Sequence, residues 1–119
     1  MTWPSGRSPL FPGCEDAPLA EQTRCAAINL LEFVYANVRY PASARENSCE
    51  GQAVISFIVE KDGRISAAKI IRDPGCKLGK AALAAVLAMN EQAIKWHPGK
   101  QYGRNVRVRQ TLPVKFKLE

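Results

Sequence analysis

The chain has 119 residues, 46% of them hydrophobic and 24% charged, which is the size and balance of one globular domain. No apolar run reaches the roughly 18 residues a membrane span needs. The opening Met-Thr-Trp-Pro-Ser-Gly-Arg has no apolar stretch of signal-peptide type, so the expectation is either a cytosolic protein or a soluble piece of a longer exported one. The net charge of +6 is unevenly placed. Residues 1–94 hold ten basic and ten acidic side chains, while Lys95, Lys100, Arg104, Arg107, Arg109, Lys115 and Lys117 stand against Glu119 alone. A local basic surface of this kind attracts anionic partners.

Residues 1–20 are rich in Pro, Gly and Ser and hold no periodic pattern. They read as a leader or linker pinned only by Cys14, with residues 21–119 as the folded domain. From Glu21 to Val38 the period turns helical, with Ala27, Leu30, Leu31, Val34 and Val38 on one stripe. Pro41 pushes Tyr40 out of the helical region and suits the first turn of a short new helix.

Gly51 to Asp73 holds two β-prone runs around Asp62-Gly63, a strong hairpin signal. Ala53, Ile55, Phe57 and Val59 share one face at period two. A two-residue loop puts Lys61 opposite Arg64, Ile55 opposite Ile70 and Phe57 opposite Ala68. A three-residue loop instead puts Lys69 opposite Ile55, and matching apolar faces favour the first register.

Leu78 to about Gln92 is helical again, with Ala82, Ala85, Val86, Met89 and Ala93 on a stripe widened by Leu83 and Leu87. Trp96-His97-Pro98-Gly99-Lys100 ends it, and Tyr102-Gly103-Arg104-Asn105 is turn-like. Val106 to Leu118 alternates, with Val108, Leu112, Val114, Phe116 and Leu118 inward and Gln110 the polar intruder among them. Arg107, Arg109, Thr111, Lys115 and Lys117 face out. Pro113 and the outward lysines mark an edge strand. The expected fold is α+β: a three-stranded antiparallel or mixed sheet in order 2-1-3, helices packed on one face, and the last strand left open.

The four cysteines contain no C-x-x-C pair and His97 is the one histidine, so a zinc site has no ligand cluster to start from. Cys14 and Cys25 flank a polar loop whose closure contributes roughly 2–4 kcal/mol. The hairpin register places Cys49 opposite Cys76 if the ladder runs that far. Two disulfides favour an oxidising compartment; the other reading is four reduced, buried thiols in the cytosol. Catalysis has little to stand on. His97 has no nucleophile or carboxylate near it in sequence, and Asp62 is explained by its turn. Ser43, Ser48, Ser56 and Ser66 lack a nucleophile-elbow context, and no glycine loop cradles phosphate. The expectation is a binding module: no enzyme, no cofactor and no metal.

Several pieces in one order resemble the C-terminal domain of TonB energy transducers. They are Tyr40-Pro41 with Ala44 and Glu50-Gly51, Asp62-Gly63-Arg64-Ile65, the alanine-rich helix, Trp96-x-Pro98-Gly99-Lys100, and the closing Val114-Lys115-Phe116-Lys117-Leu118. Phe11-Pro12-Gly13-Cys14-Glu15 also resembles the lead-in of many members. The resemblance implies a periplasmic domain tethered in the full-length protein to the inner membrane. It implies binding to the TonB box, a short peptide of outer-membrane transporters, and coupling to a proton-driven motor complex of the inner membrane. In that family the peptide adds as a strand beside the last strand, and the segment before Tyr-Pro also contacts the transporter. Carried over, the contact residues are Asn37, Val38, Arg39 and Tyr40, with Arg107, Arg109, Thr111, Leu112, Pro113, Val114, Lys115 and Lys117.

The sequence departs from that pattern by showing no anchor and by placing Pro113 in the binding strand. An exposed strand is by itself the requirement for β-augmentation, with affinity expected from main-chain bonds and specificity from pockets and charge. The same edge is able to pair with a second copy. Two other readings are an envelope sensor of the same fold and a small basic nucleic-acid module. The last is disfavoured, because single-strand binders stack bases on aromatics and Tyr102 is the main outward candidate; the expectation is no nucleic acid.

Overall fold

The computed structural model describes residues Gly6–Leu118; Met1–Ser5, the start of the expected leader, and Glu119 lie outside the described residues. In chain order the elements are β1 (Gly6–Arg7), α1 (Leu19–Asn37), α2 (Ala42–Glu46), β2 (Gly51–Val59), β3 (Ile65–Arg72), α3 (Leu78–Glu91), β4 (Gly99–Gln101), β5 (Arg104–Val106) and β6 (Val108–Phe116). The main sheet has the order β3-β2-β6, both pairings antiparallel, so the α+β fold and the 2-1-3 order hold. A second sheet, β1-β4-β5, was not expected.

Period two decides the core. Ala53, Ile55, Phe57 and Val59 of β2 are all fully buried. α3 lies over them with Ala82, Ala85, Val86 and Met89, and its alanines permit the close approach. Asp73 Oδ1 accepts the Gly79 N–H at 3.1 Å, placing a carboxylate at the positive end of α3. Ala93 falls beyond the helix, exposed and at φ 56°.

Two features shift against expectation in the hairpin and cancel. The Glu60 N–H donates to the Arg64 carbonyl, so the loop is Lys61-Asp62-Gly63, three residues and not two. Gly63, at φ +89°, lies against Trp96: a Cβ there would sit 2.5 Å from the Trp96 carbonyl oxygen. Ser56 pairs with Lys69 but Ile58 pairs with Ser66, so Phe57 faces both Ala67 and Ala68 across a bulge. The bulge absorbs the extra loop residue. Ile55 therefore meets Ile70 as expected, whereas the Lys61–Arg64 pairing and the single Phe57–Ala68 pairing are corrected.

α1 keeps Leu30, Val34 and Val38 of the expected stripe against the core but turns Ala27 and Leu31 out in favour of Ala26 and Phe33. Ala26 and Val34 are buried, with Leu30, Phe33 and Val38 packed beside them, while Ala27 is exposed and Leu31 is 41% exposed. The helix is turned toward Phe11, whose ring meets Phe33 at 5.7 Å and Trp96 at 5.6 Å. Phe11 belongs to the segment read as a linker pinned by Cys14 alone, and that reading is corrected. Gly6 and Arg7 pair with Gln101 and Lys100, Leu10 bridges to His97, and Glu15 meets His97 Nε2 at 2.6 Å. His97 thus has the carboxylate its sequence neighbours lack, and the bond it makes, with the Gly13 N–H, holds Glu15 down at a pKa of about 2.

Both expected disulfides, Cys14–Cys25 and Cys49–Cys76, are present. In the β4–β5 hairpin Gln101 faces Arg104 across Tyr102-Gly103, both at positive φ, the geometry that makes so short a loop follow the strand twist.

Phe57 is enclosed by β3, α3 and Trp96, while Lys115 lies on the exposed face of the edge strand. Phe57→Ala is expected to cost about 3–5 kcal/mol and Lys115→Ala less than about 0.5 kcal/mol, read from denaturant midpoints with unchanged slope. Equal small losses would mean that the faces of the sheet are reversed.

Candidate functional site

The main sheet has two edges, and they differ. β3 departs from regular pairing twice, at Ala67-Ala68 and at Ile71, and carries Lys69 and Arg72; bulges and charges are the usual means of blunting an edge. β6 runs in unbroken register along β2, from Gly51 opposite Phe116 to Val59 opposite Val108. Among the described residues no strand pairs with its other side.

One bond fixes which backbone groups face that side. The Lys115 N–H donates to the Tyr35 hydroxyl at 3.0 Å and so points away from β2. Backbone groups alternate along a strand, so Arg109, Thr111 and Pro113 turn the same way, and Gln110, Leu112 and Val114 bond toward β2. The donor that Pro113 lacks is therefore missing from the open edge. Arg109 and Thr111 remain as the residues offering both an N–H and a carbonyl there.

The side chains sort the expected contact residues into three groups. Leu112 and Val114 are buried in the core and serve the edge only by holding it in place. Thr111, Pro113, Lys115 and Lys117 are exposed. Arg107 and Arg109 are committed within the domain: Arg109 Nη1 donates to Ser56 Oγ at 2.8 Å, and Arg107 spans both carboxylate oxygens of Glu60 at 2.6 and 3.1 Å. Glu60 also accepts the Ser66 hydroxyl.

The expected second segment ends beside the same strand. Tyr40 meets Phe116 edge-on at 5.5 Å, lies under the Arg45 guanidinium at 5.6 Å and donates its hydroxyl to the Cys49 carbonyl. Val38 closes α1 with a bond to Val34, Asn37 accepts from Gln92 at 2.8 Å, and Arg39 is exposed. The structure thus brings Tyr40 to the Phe116 end of β6, while Arg107 lies at the other end. Sequence reasoning missed Tyr35. It lies off the expected helical stripe, and nothing local in the sequence points it at residue 115.

The Arg107 guanidinium, and after it the Ser66 hydroxyl, hold the Glu60 carboxyl below the usual carboxylate range, and Arg107 is raised in return. A carboxyl lowered by folding contributes stability that is complete above its unfolded value and is lost as pH falls through the folded one. In Arg107→Ala the Glu60 carboxyl is expected to titrate closer to its ordinary value by NMR, and the stability it lends to fade at higher pH. An unmoved Glu60 titration would mean that the pair does not persist in solution.

A sequence profile for the Gram-negative bacterial TonB protein C-terminal region matches residues 36–118. No curated protein sequence matches the chain. Among solved structures, the chain is similar to the Helicobacter pylori TonB C-terminal domain, residues 179–285, with 21% identity and a TM-score of 0.63 over 78% of this chain and 80% of that one. A shorter form of that domain, residues 194–285, matches at 21% identity and a TM-score of 0.59 over 76% of this chain and 91% of that one. These likenesses bear on the fold. With the profile spanning well over half of the sequence, the chain belongs to the family of Gram-negative bacterial TonB protein C-terminal domains.

Proposed function

We propose that this domain acts in the periplasm, where the open edge of β6 takes up an extended peptide from an outer-membrane transporter. In the full-length protein it relays force from a proton-driven motor in the inner membrane. It is a binding and transduction module and not an enzyme. The observation that carries the reading is the unbroken edge of β6, unpaired among the described residues, with outward backbone groups at Arg109 and Thr111. Extended backbone is the complement such an edge selects. Two disulfides suit an oxidising compartment. Family membership makes a transporter peptide the first candidate partner. Glu60 neutralises Arg107, so the positive field that speeds encounter comes from Arg109, whose partner Ser56 is uncharged, with the exposed Lys115 and Lys117 beside it.

Peptides copied from the N-terminal segments of outer-membrane transporters, titrated into labelled protein, are expected to move the Arg109, Thr111 and Lys115 amides. Thr111→Pro deletes an edge donor and leaves the core untouched, because Thr111 is exposed. It should weaken binding about tenfold, whereas Thr111→Ala changes it less than about twofold and Pro113→Thr, which restores a donor, tightens it by about threefold. Shifts confined to the exposed face of α3, with none on β6, would rule out strand addition.

A further inference from the structure

α1 carries more apolar surface than the domain buries. Ile28, Leu31 and Tyr35 are 48%, 41% and 43% exposed, and Ala27 is exposed as well. The hydroxyl of Tyr35 reaches the Lys115 N–H, so this side of α1 borders the open edge of β6. Toward the other end of the strand a cleft of about 200 Å³ opens between α1 and β6, lined by Thr23, Ala27 and Leu30, by Gln110, and by Leu10 and Trp96.

We propose that α1 forms a side-chain-reading wall for the β6 edge, so that the peptide taken there carries apolar side chains at alternate positions with polar or acidic ones between. This rests on strand addition at β6 and adds to it the chemistry of the occupant. The geometry follows from alternation. A residue of an added strand that lies opposite Gln110 turns its side chain to the same face as Gln110, into the cleft. Residues opposite Leu112 and Val114 turn the same way, over the stretch of α1 that runs from Ala27 to Tyr35. Ala27, Leu31 and Tyr35 are spaced at i, i+4 and i+8, about 6 Å per step. Alternate residues of a strand are about 6.8 Å apart. The two spacings keep step over three positions, so one helix face reads one face of the strand.

The intervening side chains would lie on the outer face beside Arg109, Thr111 and Lys115, where the exposed charge of β6 is positive. That face favours acidic or uncharged polar residues. The walled side carries the Gln110 amide, Thr23 at the cleft and the Tyr35 hydroxyl as polar groups. α1 lies almost wholly ahead of residue 36, where the family match begins, so the wall belongs to this chain's own N-terminal helix.

The test uses two blocked peptides of equal composition: Glu-Val-Thr-Val-Glu-Val-Thr, and Val-Val-Val-Glu-Thr-Glu-Thr. The alternating peptide is expected to move the Arg109 and Thr111 amides together with the Leu31 methyl signals. It should bind about tenfold more tightly than its rearranged counterpart. Leu31→Ser and Ala27→Glu change exposed positions and should retain the native amide spectrum, yet each should weaken the alternating peptide about tenfold. If the peptide moves Arg109 and Thr111 but both variants bind it unchanged, the wall is overturned and strand addition stands. If it moves no β6 amide, strand addition falls and the wall with it. If the same signals move with protein concentration alone, the occupant is a second copy of this chain and the peptide reading is overturned.

Discussion

The pairing of β2 with β6 is the constraint on which the remaining structure depends. Its register is continuous from Gly51–Phe116 to Val59–Val108, without a bulge. With a side-chain period of two, that one register sends Ala53, Ile55, Phe57 and Val59 inward together with Leu112, Val114 and Phe116. It also leaves the backbone groups of Arg109, Thr111, Pro113 and Lys115 turned outward. A slip of one residue would expose the core and reverse the edge at the same time. The candidate site and the hydrophobic core are thus two consequences of one alignment, and any account of binding at β6 inherits the stability of β2.

The main sheet was legible in the sequence because its signals are local or strictly periodic: alternation in both long strands, Asp62-Gly63 between the first two, and the alanine-rich helix. The open edge was legible for the same reason, since Pro113 and the outward lysines announce it. The hairpin register came out right at Ile55–Ile70 although its loop length was wrong, because the bulge at Ala67 and Ala68 offsets the third loop residue. α1 was harder. Its sequence places apolar residues at Ala26, Ala27, Ile28, Leu30, Leu31, Phe33, Val34 and Tyr35, too many for one face to be singled out. Which side is buried depends on partners remote in sequence: α3, against which the helix packs, and Phe11, set in a run of prolines and glycine. The second sheet escaped notice because strands of two and three residues carry no period.

That N-terminal segment illustrates how composition misleads. Residues 6–18 look like a linker, yet Phe11 is buried against Trp96, which in turn meets Phe57 in the centre of β2. Trp96 is held by its N–H bond to the Gly63 carbonyl and by its indole N–H on the Met89 sulfur. A path of aromatic contacts therefore runs from the N-terminal segment into the main sheet. The Cys14–Cys25 bond and the Glu15–His97 pair flank this path at the surface. The consequence for the candidate site is direct: the same segment supplies Leu10 to the cleft beside Gln110.

Magnitudes decide how such an edge must work. Tyr35 caps the Lys115 donor and Pro113 has none, so an added strand finds about six backbone bonds: two each at Arg109 and Thr111, and one each at the Pro113 and Lys115 carbonyls. At a net worth near 1 kcal/mol each they contribute about 6 kcal/mol. Association itself costs on the order of 4–15 kcal/mol. On these magnitudes backbone pairing alone leaves binding near or below the threshold of detection. This is also what keeps an exposed edge from recruiting any unpaired strand it meets. Selective binding at β6 needs a second source of free energy, and burying even one valine-sized side chain supplies about 1.5–3 kcal/mol. Under the proposed strand addition the edge would set the conformation of the peptide, and the apolar flank of α1 is the adjacent surface that would supply the remaining free energy.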